Sequence, residues 1–574
     1  MVVLVGGLLV INANATAATT TAPSFSITPV FSSPAAFDVS PPLRDLAAAA
    51  SVQSQAVAPD EDGNDDVDMD EGKPEHEPEV ENDGFSGDGV RQATAGTAPI
   101  GPTLANFDGL SNQDNFDTFG FRVNPPDVSG DVGPNHYVEM INLVFAVFAK
   151  NGTKLLGPVD NGTLWSGFSI DECTDPSGDT VVLYDQIADR WLLTQFTTRG
   201  INFPNEPLNL FYNCVAISTT GDPTGSYYRY AFNTGFNFPD YPKYGIWRDS
   251  YLITTREFGI LDPNFYGIGV YGLDRNKMIE GDPDARAVSA LLDSSVVPIN
   301  LIGDGLLPAD LDGKTKPKND VPAPIIGTQD NNGPYGAPFD ALNVWEFDVH
   351  WNATATASLV LKTQLPVASF DSAFPCGPSD RDCLPQPGIT NPAQFLDILS
   401  YRQRPLHRLA YRNTGGYEAM VTNQSVEAAP GVAGVRWYEI RRTDGTYTVH
   451  QQGTYAPGDG VHRWMGSIAQ DKFGNTALGF SVVNGTSVFP GIRYTGRLAG
   501  DPLGQMTQGE GTIISGSGVQ RTTNSRWGDY TTMSVDSVDD CTFWYINEYY
   551  TLAGQVSSTA GWQTRVGSFK LPGC

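Results

Sequence analysis

The sequence predicts an all-β fold: a seven-bladed β-propeller preceded by a disordered acidic linker, with six or eight blades as alternatives. Three observations carry this. The 574 residues include 61 glycines, 41 prolines and 11% aromatics but only 17% charged residues. No long stretch has 3.6-residue apolar periodicity, so the composition suits a β-rich chain better than a helical one. A short pattern recurs along the chain: polar lead-in, apolar strand, Asp/Gly/Asn turn, second strand. Where one copy can be followed to its end it holds four strand-like runs, the content of one propeller blade.

The N-terminus comes first. VVLVGGLLVI followed by NANATAA resembles the apolar core and cleavage region of a secretory signal, here residues 1–18. The basic segment that usually precedes such a core is missing. Residues 19–104 are expected to be a disordered linker, first rich in Ala, Ser, Thr and Pro, then acidic. Residues 60–83 alone hold 13 acids and one lysine, so −12 of the formal −30 lies there. Neither part can bury enough apolar surface to offset its ordering entropy. The acidic body excludes nucleic acid and anionic membrane surfaces as partners. No other segment reaches the roughly 18 apolar residues of a membrane helix.

From residue 105 to 574 the recurrent units follow one another. Their starts fall near 131, 179, 244, 408, 463 and 526, and the long gap before 408 has room for one more unit around 303–330. The second unit shows TVVLY, RWLLTQFTT, LFYNCVAIST and YYRYAFN, separated by turn residues. The third repeats this with YGIW, SYLITTRE, YGIGVYGLD and ARAVSALL. The last shows only TTMSV, TFWYINEYY and WQTRVGSFKL, so a segment within 105–125 should supply its fourth strand, because an open edge invites aggregation. Trp527, Phe543, Trp544 and Tyr545 are then packing residues between blades. Residues 366–400 read as a loop insertion.

The segments GDVGPNHYVEMIN, GDTVVLYDQIADRW, LLPADLDG, SRWGDYTTMSVDSVDDCTFWYINEYY and RVGSFKLPGC resemble a group of uncharacterised secreted bacterial β-propeller proteins. The resemblance covers most of 105–574. It implies the fold and an extracellular setting, and it brings no catalytic residues.

Six cysteines allow 15 pairings. Sequence order favours Cys173–Cys214, Cys376–Cys383 and Cys541–Cys574, and an even count fits an oxidising compartment. No C-x-x-C spacing suggests zinc. N-x-S/T sequons stand at Asn14, Asn151, Asn161, Asn352, Asn423 and Asn484.

In a propeller the residues before each first strand gather at one mouth of the channel. Here the lead-ins carry the acids Asp127, Asp131, Asp175, Asp179 and Asp529, and the bases Arg408, Arg463 and Arg526, all three in the last three blades. His462 and His136 lie beside them. These residues are the candidate ligand site. Arginines could grip a sugar carboxylate or sulfate in bidentate fashion, and paired carboxylates could do acid/base work. The alternative is that Arg and Asp tie neighbouring blades together. Asp310-Leu-Asp312-Gly313 resembles a calcium turn without full EF-hand spacing; no other cofactor is expected. No G-x-S-x-G serine motif occurs, and Ser534-Val-Asp536 departs from a sialidase Asp-box in spacing and lacks its glycine. A polysaccharide lyase could draw on His462, Arg463 and Arg526. The expectation is a secreted, monomeric propeller that binds an extracellular glycan or surface protein. A carbohydrate-active enzyme on an acidic glycan and a structural adhesion module are the alternatives.

Overall fold

The computed structural model describes residues 23–54, 66–68, 87–318, 320–374, 382–398 and 403–574. It is a seven-bladed β-propeller. The innermost strands are Ser129–Val132, Val182–Asp185, Asn237–Ile246, Leu307–Asp312, Leu406–Asn413, His462–Gln470 and Thr532–Val535. Each packs beside the next, and the last packs beside the first, so the ring closes. Successive strands of a blade pair antiparallel outward from the channel. Blades four and five are also joined directly, by a parallel ladder from Ala309–Leu409 to Asp312–Arg412.

The four runs of the second unit appear as Val182–Asp185, Arg190–Phe196, Phe211–Ser218 and Tyr227–Gly235. The seventh blade takes Thr532–Val535, Phe543–Tyr550 and Trp562–Phe569 from the C-terminal end. Its outermost strand is Ala105–Ser111, antiparallel to Trp562–Phe569. One polar contact holds this strand to blade one. The buried Glu139 carboxylate accepts the Leu110 N–H at 3.0 Å and also accepts the Thr564 hydroxyl. The wedge-shaped spaces between blades fill with aromatics. Trp464 and Trp527 lie 5.0 Å apart, and Tyr137 of blade one stacks on Trp544 of blade seven.

Two disulfides stand where sequence order placed them, Cys173–Cys214 and Cys541–Cys574. Cys376, the proposed partner of Cys383, lies outside the described residues. Such bridges fit an oxidising compartment. No helix among the described residues is long and apolar enough to cross a membrane. Asn161 and Asn423 are buried, so these two sequons are not glycan acceptors in the folded protein.

The flanks of the acidic run correct the expectation of linker. The run itself lies almost wholly outside the described residues, but 23–54 and 87–104 are ordered and girdle the ring. Phe25 meets Trp345 of blade four. Val30–Ser32 then adds an edge strand to blade three and Ala36–Val39 one to blade two. The helix Leu43–Ser54 follows, with Leu43 buried against blade one. Arg91–Gln92 adds an edge to blade five. Ala98 bridges to Gln508 of blade six, and the chain then enters blade seven.

Each strap is anchored by one carboxylate in a buried guanidinium. Asp38 binds Arg229 through Oδ1 at 2.7 Å and Oδ2 at 2.6 Å. Asp88 binds Arg436 at 2.8 Å, with both side chains fully buried. Removing one member of such a pair strands a charge, and that loss typically costs about 3–5 kcal/mol. Asp88→Ala should therefore lower the unfolding free energy from urea titration by that much. Adding Arg436→Met should recover much of the loss, which a double-mutant cycle read by fluorescence would measure.

Candidate functional site

The lead-in turns form one mouth of the channel, and their backbone geometry is unusual. Five of the seven blades hold a left-handed residue just before or within their first strand: φ is 45° at Asp127, 52° at Asp179, 51° at Tyr241, 43° at Gln403 and 46° at Met465. None is glycine. Such conformations are sparsely populated by side-chain-bearing residues and concentrate where structure serves a function.

At the centre of this mouth is Lys243. A bulge between Asp240 and Lys243 interrupts the ladder of blade three. It sets the Lys243 ammonium 3.0 Å from the ring centroid of Tyr241 and 3.4 Å from that of Tyr530. The Tyr530 hydroxyl donates to the Pro242 carbonyl at 3.0 Å and to Asp179 at 3.3 Å. Arg404 lies 4.0 Å over the Tyr241 ring, and His407 packs near Tyr530. Burial drives the Lys243 pKa well below that of free lysine, with Arg404 adding to it and Asp179 opposing. The two ring faces also favour the ammonium. Burial likewise drives His407 far down, so its imidazole is neutral at ordinary pH.

Around this centre the charges cancel in pairs. Asp529 faces Arg526 at 3.2 Å and Arg404 at 3.9 Å. Its own N–H donates to Asp127 at 2.6 Å. Arg256 lies 3.8 Å from both Asp240 and Asp304, and Asp304 also accepts the Tyr335 hydroxyl. Glu548 accepts the Gly528 N–H, and burial pushes its carboxyl up to about 8.

Several buried polar atoms here have no hydrogen-bond partner among the described residues. They are Lys243 Nζ, Tyr241 Oη, both ring nitrogens of His407, both polar side-chain atoms of Gln403, Arg404 Nε and Glu548 Oε2. The set includes donors and acceptors. Leaving such groups unmatched costs roughly 1–3 kcal/mol each, and the side chains that carry them are almost wholly buried.

The residues proposed from sequence divide into three places. Asp179, Asp529 and Arg526 do meet at the lead-in mouth. Arg408 and Asp131 do not: they lie at the far mouth. There the Arg408 guanidinium binds Asp312 at 2.7 and 3.0 Å and also binds Asp310. The half-buried Asp131 accepts the Tyr184 N–H at 2.7 Å. Burial raises the Asp131 pKa and that bond opposes the rise. The guanidinium takes the place a calcium ion would need between Asp310 and Asp312. No group of three or more His, Cys, Asp or Glu among the described residues is arranged to hold a metal.

Arg463 and His462 belong to neither mouth. Arg463 is fully buried between blades five and six, bound to Asp459 at 2.8 Å and Glu510 at 2.6 Å beside Tyr455 and Phe480. His462 Nδ1 accepts the Ala433 N–H at 3.3 Å, and burial with Arg463 beside it lowers its pKa to about 4. His136 is half-buried and opens the second strand of blade one, His136–Met140, away from the lead-ins.

Lys243, Tyr241, Tyr530, Gln403 and Arg404 were absent from that set. One signal for them was available: Asp-Tyr recurs at the bulge of the first strand of blade three and just before that of blade seven, in FPDYPKYGI and WGDYTTMSV.

No protein-family model matches the chain, and no curated protein matches it. Among solved structures it is similar to an α-L-arabinanase of Penicillium chrysogenum complexed with arabinobiose (10% identity, 58% of this chain and 93% of that one, TM-score 0.28). A GH43 endo-arabinanase of Bacillus licheniformis matches at 14% identity, covering 56% of this chain and 96% of that one, TM-score 0.26. A Trypanosoma rangeli sialidase matches at 9% identity, covering 68% and 54%, TM-score 0.28.

The buried carboxyls set a pH dependence. Burial pushes Glu139 and Glu257 up to about 7 and Glu548 up to about 8. Between pH 4.5 and 8 the unfolded chain has released protons that these carboxyls still hold in the fold, so their contribution to stability falls as pH rises through that window. The depressed His407 and His462 act in the opposite sense below about pH 6.5. The melting temperature should be higher at pH 5 than at pH 8, and Glu548→Gln should shrink the difference. A wild-type profile rising towards pH 8 would contradict the assignment.

Proposed function

We propose that the chain is an extracellular glycan-binding propeller, and that its ligand is a neutral sugar held at the lead-in mouth. The observation that carries this is the set of unpartnered donors and acceptors around Lys243, Tyr241, Gln403 and His407. A polyhydroxylated ring supplies both kinds of partner, and a buried group gains most from a partner that replaces its lost water. The charge pattern argues against an acidic ligand. Arg256, Arg404 and Arg526 each already face carboxylates of the protein, and the formal charge of −30 repels polyanions at a distance.

A second reading, hydrolysis of the same ligand, is favoured by one pairing. Glu548 retains its proton near neutrality while Asp529, close enough to raise it further, stands in an ion pair. A carboxyl that keeps its proton near neutrality beside an ion-paired carboxylate has the parts of a general acid and base.

Both readings are tested with immobilised neutral, uronate and sulfated polysaccharides, following retention and product release together. A neutral polysaccharide should retain the wild type, and Tyr241→Phe with Gln403→Leu should weaken retention at least tenfold. Neither side chain has a hydrogen-bond partner among the described residues, so melting should barely change. Release of sugar lost in Glu548→Gln would establish hydrolysis. Retention of polyanions alone, dependent on Arg526, would overturn the neutral-ligand reading.

A further inference from the structure

We propose a second sugar-binding cleft on the opposite face of the ring, between blades four and five; its ligand class rests on the glycan reading above. The second and third strands of blade five, Glu418–Ala429 and Val432–Thr443, have 12 residues each and outrun their counterparts in every other blade. They carry two turns, around Gly415 and around Asp444, out beside the loop of blade four that holds Lys318. The cleft between them is open to solvent and encloses about 230 Å³, somewhat under the usual range for a drug-sized ligand.

Its chemistry suits a sugar ring. Tyr417 gives an aromatic wall, and its far side is braced by the Arg441 guanidinium at 4.1 Å. The Tyr417 turn is stiff: the Thr414 hydroxyl donates to the Tyr417 carbonyl at 2.7 Å, and Asn413 Oδ1 accepts the Gly415 N–H at 2.9 Å. On the floor, Glu418 accepts from Arg442 at 2.8 Å and from the Tyr411 hydroxyl at 2.8 Å. Arg442 Nε has no hydrogen-bond partner among the described residues. Asp444 and Lys318 offer an acceptor and a donor at the rim. At Gly415 and Gly416 an added Cβ would meet nothing within 4 Å, so a flat ligand can lie close to the backbone. An aromatic wall with a carboxylate and a guanidinium at its foot reads the apolar face and the vicinal hydroxyls of one ring at once. With the lead-in mouth on the other face, the molecule would be bivalent and could bridge two glycan strands.

The test is calorimetric binding of cellopentaose, xylopentaose and mannopentaose to the full chain. The variants are Tyr417→Ala, Gly416→Gln, and Tyr241→Phe with Gln403→Leu. Gly416→Gln adds bulk at an open position without left-handed backbone, so it blocks the cleft without threatening the fold. The expected result is a stoichiometry near two, reduced to one by either cleft variant and separately by the mouth variant. A single site lost only in the mouth variant would overturn the cleft and keep the mouth. A single site lost only in the cleft variants would keep the cleft and overturn the mouth. No binding of any of the three sugars would overturn both.

Discussion

Everything in this molecule depends on closing a ring of seven sheets. An open propeller would expose a row of unpaired strand groups at its last blade, and here closure joins parts of the chain more than 450 residues apart. Ala105–Ser111 completes blade seven, Glu139 ties that strand to blade one, and the two straps run over the outer edges. The anchors are few and specific. Asp38 and Asp88 each neutralise an arginine that would otherwise be a buried, uncompensated charge. The N-terminal region is thus part of the fold's outer wall.

Closure is also what builds the lead-in mouth. Once seven first strands are fixed side by side, the residues preceding them have little room. Five blades adopt left-handed backbone at residues other than glycine just before or within the first strand, and the surrounding packing must bear that cost. The same crowding drives lysine, histidine and carboxyl groups together under the low dielectric of the interior. Arginines and aspartates settle into mutual pairs, while Lys243, Gln403, Tyr241 and His407 keep side-chain atoms without a hydrogen-bond partner among the described residues. The proposed neutral ligand rests on those atoms.

The architecture was legible in the sequence because a blade writes itself locally. Polar lead-in, apolar run, turn and second run recur at intervals that survive without sequence identity, and the three-strand ending foretold a strand from residues 105–125. The site was legible only in part. Residues on a strand alternate in direction, so His-Arg pairs that look equivalent along the chain diverge in space. Arg408 reaches the far mouth, and Arg463 turns between blades. Lys243 was invisible because only a bulge turns it towards Tyr530, nearly 290 residues later. Asp38 and Asp88 were equally hidden: an aspartate in an Ala/Pro-rich or acidic stretch has no local mark of the arginine it will meet.

The most direct test of this account is a crystal structure of the full chain with a bound neutral oligosaccharide. The account predicts a sugar ring at the lead-in mouth, with hydroxyl oxygens within hydrogen-bond distance of Lys243 Nζ, Tyr241 Oη and the Gln403 amide. A mouth filled by the protein's own side chains, with those atoms hydrogen-bonded to one another and the sugar bound elsewhere, would contradict it.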